Sequence, residues 1–164
     1  MSFLSEGQEV ERRFVIRLVQ AYGGTWKPAD KDTDIKKHID VLWITPDKKV
    51  VSFDVKGLRK NNRADNTYDD TITWLEIRNV HGGPGWLYGE EDYIAFETNT
   101  EWIIVRPDRL INLLNSRVAD GNISHTMPDE PYIYYQRAGR RDVIVKVRME
   151  DVREVANKII DKQV

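Results

Sequence analysis

Residues 38–56 read HIDVLWITPDKKVVSFDVK, two β-branched and aromatic runs on either side of a Pro/Asp turn at residues 45–49. This pattern predicts a β-hairpin. Because side chains alternate along a strand, Val51, Phe53 and Val55 share the core face. Asp54 and Lys56 share the opposite face. Asp40 lies beside Asp54 if the hairpin pairs residues whose numbers sum to about 94, a register that the turn alone leaves open.

That register would bring two carboxylates and one lysine together on one face of the sheet. Two close carboxylates repel and raise each other's pKa unless a divalent cation lies between them. Oxygen ligands suit Mg²⁺ or Mn²⁺, which can activate a water and neutralise the charge of a phosphodiester. Lys56 would position the attacking water or stabilise the transition state. The alternative is an ordinary polar strand face, since 32% of the residues are charged.

A helix is predicted over residues 5–22, with Ser5 and Gln8 forming a capping box and two glycines ending it. At 100° per residue, Glu11 falls in the middle of the apolar stripe that includes Val15 and Leu18. A carboxylate buried there must be paired, protonated or bound to a metal. The alternative is that Glu11 lies near the helix start, where the stripe meets solvent and a negative charge suits the helix dipole.

The rest of the chain predicts a polar connection over residues 24–37 and a loop over residues 57–70. Strands are predicted over residues 71–80, 93–97, 102–106, 132–136 and 143–147. Helices are predicted over residues 109–117, capped by Asp108, and over residues 150–162. This order predicts one α/β (α+β) domain over residues 1–164, with a central mixed sheet flanked by helices.

The composition excludes several classes of site. The 164 residues include no cysteine, which excludes disulfide scaffolds, zinc-thiolate sites and thiol nucleophiles. Lysine and arginine number 25 against 27 acidic residues, a net charge of −2 that argues against a general polycation but leaves room for a local basic surface. No apolar run is long enough for a membrane span, and residues 1–13 lack the apolar region of a signal peptide. We therefore expect a cytoplasmic protein without a membrane partner.

The order of helix glutamate, strand aspartate, hairpin and D-x-K resembles the PD-(D/E)XK nuclease superfamily. Residues 7–12, GQEVER, resemble the G-x-x-x-E-R start of archaeal-type Holliday junction resolvases within it. The resemblance covers about residues 5–110, with the strands at 93–97 and 102–105 matching later core strands. Residues 111–164 would be a C-terminal elaboration. The family's fold is restriction-endonuclease-like.

The resemblance also implies roles for individual residues. Asp40 and Asp54 would bind Mg²⁺ or Mn²⁺, helped by the main-chain carbonyl of Val55. Glu11 would bind the metal directly or through water, and Lys56 would serve the nucleophilic water. Three features depart from the family pattern: Asp54 replaces the commoner glutamate, Ile39 precedes Asp40 where proline is usual, and residues 58–92 form a longer stretch.

The implied activity is that of a metal-dependent DNA endonuclease that is structure-specific for Holliday junctions or other branched DNA. A homodimer is implied as well, because two-fold enzymes cut paired strands symmetrically. The small size suits a phage or plasmid nuclease of DNA repair or recombination, acting in the host cytoplasm if phage-encoded.

Candidate DNA contacts flank this set of residues. Arg59, Lys60 and Arg63 follow Lys56 directly and could neutralise phosphates. Lys36 and Lys37 precede Asp40. Trp86, in the glycine-rich segment 81–89, could stack on an exposed base. For the basic residues the alternative is a solvated surface, and for Trp86 it is cover for the edge of the core.

Two other classes of function stay open. One is a catalytically silent nuclease-like module that binds DNA, and the other is a protein-interaction module of a mobile element. Within the nuclease class, the sequence leaves open the choice between endonuclease and exonuclease, between DNA and RNA, and among single-stranded, duplex, flap and four-way substrates.

Overall fold

The computed structural model describes residues 5–60 and 68–163. The helices are α1 (Glu6–Tyr22), α2 (Lys31–Lys37), α3 (Pro107–Arg117) and α4 (Met149–Glu154), with one 3₁₀ turn at Trp86–Tyr88. The strands are β1 (Thr25–Pro28), β2 (Val41–Ile44), β3 (Val50–Lys56), β4 (Arg59–Lys60), β5 (Tyr68–Asp69), β6 (Ile72–Arg78), β7 (Tyr93–Glu97), β8 (Glu101–Val105), β9 (Ile123–Ser124), β10 (Tyr134–Tyr135), β11 (Val143–Arg148) and β12 (Lys158–Asp161).

The central sheet is mixed. Within the described ranges its strand order is β1-β2-β3-β7-β8-β12. β3 and β7 run parallel, and the other neighbours are antiparallel. A parallel pair needs a long crossover, which here is the chain between β3 and β7. The predicted α+β class with a mixed sheet is confirmed.

The β2–β3 hairpin has the register on which the sequence argument depended. Val41 pairs with Phe53 and Leu42 with Ser52, so the numbers of paired residues sum to 94. The amide of Asp40, just before β2, donates to the carbonyl of Phe53 at 2.8 Å. Asp40 therefore lies opposite the strand segment that carries Asp54, as predicted.

Helix α1 covers one face of the central sheet. Its N-cap is Ser5, and the reciprocal hydrogen bonds of the predicted capping box with Gln8 are both formed. Gly23 ends the helix with a φ of 79°, a backbone conformation that favours glycine. Phe14 is fully buried, and its ring centroid lies 5.0 Å from that of Phe53 and 5.2 Å from that of Trp102.

The opposite face of the central sheet packs against α3, α4 and a second sheet of order β6-β11-β10-β9. Alternate residues of β7 and β8 point to opposite faces of the central sheet. Phe96 and Ile103 pack against α3, α4 and the second sheet, whereas Ala95 and Ile104 face α1. Residues after 110 contribute to both sheets, because β11 pairs with β6 and β12 pairs with β8. No helix in the described part of the chain is long and apolar enough to cross a membrane.

The connection predicted over residues 24–37 is wrong in detail. Its first part is β1, which pairs antiparallel with β2 at the sheet edge, and its second part is α2. Every residue of this four-residue edge strand is exposed, so the strand lacks the alternation of apolar and polar residues from which it could be predicted. His38, predicted as a strand residue, instead has a φ of 59° after the end of α2 and turns the chain towards Asp40.

The prediction of a helix over residues 150–162 is also wrong. Helix α4 ends at Glu154, and the chain then forms β12 against β8. Asn157 starts this pairing: its amide donates to the Ile104 carbonyl at 2.8 Å, and its side chain accepts from the Arg106 amide at 2.8 Å. Ile160 is thereby buried in the core beneath α1.

Two further boundaries differ from the prediction. α3 begins at Pro107 with Arg106 as its N-cap, so Asp108 lies in the first turn and is not the cap. Proline suits that first helical position because its missing N–H needs no partner there. The strand predicted over residues 132–136 is confined to β10, since Tyr132 has a φ of 67°.

Candidate active site

The β2–β3 hairpin places two carboxylates side by side. Asp40 Oδ2 accepts a hydrogen bond from the Val55 amide at 2.7 Å. Val55 lies between Asp54 and Lys56 on β3, and its own side chain is buried in the opposite, apolar face. The pleat that buries Val55 therefore turns Asp54 and Lys56 towards Asp40.

Asp54 and Lys56 form a close ion pair at the end of β3. Lys56 Nζ lies 3.2 Å from Asp54 Oδ1, and the exposed fractions of the two side chains are 31% and 4%. Asp54 Oδ2 is buried and has no hydrogen-bond partner among the described residues. Burial raises the pKa of Asp54, and the charge of Lys56 opposes that rise. One oxygen of a nearly inaccessible carboxylate is thus left for another ligand.

Glu11 belongs to this acidic group rather than to the solvent-facing start of α1. It is half-buried. Burial and the charges of Asp40, Asp34 and Asp54 raise the pKa of Glu11 to about 7. The inward position predicted from the helical stripe is thus observed, and the charges that act on Glu11 come from two carboxylates of the hairpin and one of α2.

Asp34 is a member of the group that sequence reasoning missed. It lies in α2, close enough to Asp40 for a hydrogen bond between the two carboxyl groups when Asp34 is protonated. Burial and this hydrogen bond raise the pKa of Asp34 to about 6. In the sequence it is one of several charges in a polar stretch, and only the seven-residue helix α2 directs it to the site.

Glu91 is the second missed member. It is 5% exposed, and neither carboxylate oxygen has a hydrogen-bond partner among the described residues. Burial raises the pKa of Glu91 to about 8, with the charges of Asp54 and Asp40 adding to the rise and that of Lys56 opposing it. A Cβ atom on Gly89 would lie 2.2 Å from Glu91 Oε2, so the glycine lets the loop close over this carboxyl group.

The electrostatic balance of the site is strongly acidic. Five carboxyl groups interact with one another, and every one of them has a raised pKa. Lys56 alone among the described residues forms an ion pair with one of them. Yet no group of three or more acidic or histidine side chains in the described ranges is arranged to hold a metal ion by itself. The side chains that the hairpin brings together form a pair, Asp40 with Asp54.

The predicted basic DNA-contact residues that the structure describes lie on two separate elements, α2 and β4. Lys36 and Lys37 are exposed on α2 and lie 3.8 Å from Asp32 and Glu90, respectively. Arg59 and Lys60 form β4, directly after the site, and Arg63 lies outside the described residues.

Trp86 lies beside Lys56. It is partly buried against the core, its ring centroid is 6.4 Å from that of Phe96, and Lys56 Nζ lies 4.4 Å from the Trp86 centroid. Trp86 therefore covers the edge of the core, which is the alternative position given for it in the sequence analysis.

Comparison of this chain with family models, curated proteins and solved structures found no significant match.

Proposed function

We propose that this protein is a Mg²⁺-dependent nuclease that hydrolyses phosphodiester bonds. The observation that carries the proposal is the hairpin register, which sets Asp40 against the β3 segment bearing Asp54 and Lys56. Carboxylates that repel each other in a partly buried site, with a lysine beside them, suit metal-assisted hydrolysis, because a divalent cation between them removes the repulsion and can activate a water.

The donor set fits a hard divalent cation. Asp54 Oδ2 is buried and has no hydrogen-bond partner in the described part of the chain, and burial leaves the Asp40 and Asp54 carboxyl groups with raised pKa values. A cation between the two carboxylates would offset their mutual repulsion, so that both groups could be ionised together. Asp40, Asp54 and the Val55 carbonyl would hold Mg²⁺ or Mn²⁺, and Glu11 would bind it directly or through a water. With only two converging carboxylates, most remaining positions would be filled by water and substrate.

Each residue of this chain then has a distinct task. A metal held by these residues would neutralise charge at the phosphate and lower the pKa of water. The Lys56 ammonium group lies 3.2 Å from Asp54 Oδ1, where it can donate to the attacking water or to a phosphate oxygen. Glu11 and Asp34 add negative charge around the position of the ion, which favours a cation over a neutral ligand.

DNA is the proposed substrate, and branched DNA cut by a homodimer is the more specific form of the proposal. The basic pair Arg59 and Lys60 directly follows the site in the chain, where it could neutralise phosphates next to the scissile bond. Sedimentation would test dimerisation separately, since a strict monomer would argue against symmetric cutting of a four-way junction.

The test is a cleavage assay on labelled single-stranded, duplex, flap and four-way DNA with EDTA, Mg²⁺ or Mn²⁺. Wild type should cut only with metal, and Asp54→Asn should lose at least about 100-fold in rate while keeping its fold and its DNA affinity. Asp108→Asn, an exposed aspartate of α3, is the matched control and should cut normally.

Cutting by Asp54→Asn at the parental rate would overturn the assignment. Wild-type protein that binds DNA but cuts no member of the panel would identify a catalytically silent nuclease-like module. Failure to bind any nucleic acid at low salt would point to a protein-interaction module instead.

A further inference from the structure

The ammonium group of Lys56 makes two contacts with residues that the structure describes. One is Asp54 Oδ1, at 3.2 Å, and the other is the ring of Trp86, whose centroid is 4.4 Å from Lys56 Nζ. A lysine side chain is a flexible four-carbon stem that carries a point charge, so a single carboxylate contact leaves it free to swing. An aromatic face attracts the same charge from another direction and restricts that motion.

Trp86 is itself fixed by its surroundings. Its amide donates to Glu76 Oε1 at 3.2 Å, and its ring packs against Phe96 at 6.4 Å between centroids. The preceding residue, Gly85, lies so close to β6 that an added Cβ would be 2.3 Å from the Glu76 carbonyl oxygen. The backbone of this segment therefore lies directly against the strand, and the indole ring is held by both backbone and core contacts.

This placement leaves little of the ring for a nucleic-acid base. Lys56 Nζ lies over one face of the ring, and Trp86 also packs against the core beside Phe96. A base that stacked on that face would have to displace Lys56. The contacts therefore favour an effect of Trp86 on the lysine over direct binding of DNA.

We propose that Trp86 is a positioning residue that holds the Lys56 ammonium next to Asp54 through its aromatic face. This inference rests on the nuclease function proposed above, and it assigns Trp86 to the chemical step and not to substrate affinity.

Steady-state kinetics with the preferred DNA substrate test the proposal. Trp86→Leu should lower kcat about tenfold with KM nearly unchanged, because leucine lacks the aromatic face whose cation–π contact holds the Lys56 ammonium group in place. Trp86→Phe keeps an aromatic face and should recover most of that loss. Trp26→Leu, at an exposed tryptophan of the edge strand β1, is the matched control and should leave both constants unchanged. Thermal unfolding of each variant monitors its fold.

A second readout needs no activity. In metal-free protein, NMR resonances of the Lys56 Cε protons should be shifted upfield by the indole ring, and that shift should vanish in Trp86→Leu. Lys56→Arg identifies the resonance.

The outcomes separate the two proposals. Active wild type with an unchanged kcat and a raised KM in Trp86→Leu would make Trp86 a DNA contact and overturn the positioning role alone. Absence of the ring-current shift in wild type would also overturn it. Wild type that cuts no substrate would remove the nuclease function, and the positioning role with it.

Discussion

The amide of Val55 donates a 2.7 Å hydrogen bond to Asp40 Oδ2, which ties the carboxylate just before β2 to the backbone of β3 between Asp54 and Lys56. The hairpin pairing therefore fixes the backbone positions of Asp40 and Asp54, and the hydrogen bond from the Val55 amide holds the Asp40 carboxylate beside β3. A hydrogen bond to an ionised carboxylate also favours the charged form that binds a cation.

Divalent cations should stabilise the folded protein. Mg²⁺ present at about 100 times its dissociation constant is expected to add about 2.7 kcal/mol to the free energy of unfolding. Asp40→Asn and Asp54→Asn should both abolish this increment, because each removes one carboxylate of the pair. Thermal unfolding with EDTA and with Mg²⁺ measures it. Asp108→Asn should respond like wild type, and an equal Mg²⁺ effect in all four proteins would show that the ion binds elsewhere.

Glu91→Gln should change the pH dependence of stability. The pKa of Glu91 is raised to about 8, so the folded state binds this proton more tightly than the unfolded chain does. The contribution of Glu91 to stability is thus greatest below pH 4.5 and is lost as the pH rises towards 8. In EDTA the variant should match wild type near pH 4 and exceed it by roughly 2–4 kcal/mol near pH 9.

Urea titrations across that pH range would measure the difference. Glu90→Gln, the exposed neighbour paired with Lys37, provides the control and should track wild type at every pH. Parallel stability curves for wild type and Glu91→Gln would show that Glu91 is not the buried acid described above.

Glu11→Gln should slow cleavage by roughly 10- to 100-fold, the usual cost of removing a group that orients or supports a metal site. Glu11 faces the hairpin carboxylates, whereas Glu9 lies on the exposed side of the same helix. Glu9→Gln should therefore keep full activity and is the natural control. If the two variants lost activity equally, the effect would belong to the helix and not to the site.

Glu97→Gln should destabilise the fold by about 2–4 kcal/mol, since charged hydrogen bonds to a buried carboxylate are lost. Glu97 is 3% exposed, and its oxygens lie 3.0 Å from Arg13 and 2.9 Å from Lys162. Burial alone would raise the pKa of Glu97, but hydrogen bonds from Arg13 and Lys162 lower it. Its stabilisation is therefore present above the unfolded-state pKa and lost as the pH falls through the folded-state value.

Chemical denaturation at pH 7 and at acidic pH would measure this effect. Glu154→Gln changes an exposed residue at the end of α4 and should shift stability by less than about 0.5 kcal/mol. A similarly small shift in Glu97→Gln would mean that α1 and the C-terminal strand do not depend on this ion-pair network.

The local sequence pattern was enough to predict the elements whose apolar residues recur with a strong period. The capping box at Ser5 and the apolar stripe of α1 predicted the first helix, and alternation in residues 50–56 predicted which side of β3 would face the core. The positions of Glu11, Asp54 and Lys56 follow from those two periods, because 100° and 180° per residue assign each side chain to a face. The faces on which these three side chains lie could therefore be predicted before any long-range contact was known.

Tertiary contacts decided the rest. Residues 150–162 could form either a helix or a strand, and the free edge of β8, with Asn157 bonded to the Ile104 carbonyl, selected the strand. Asp34 and Glu91 are unremarkable acids in sequence, and they reach the site only because α2 and the segment before β7 are folded over β3. A period along the chain assigns a side chain to a face, but which distant segment covers that face depends on non-local pairing, which no short window of sequence contains.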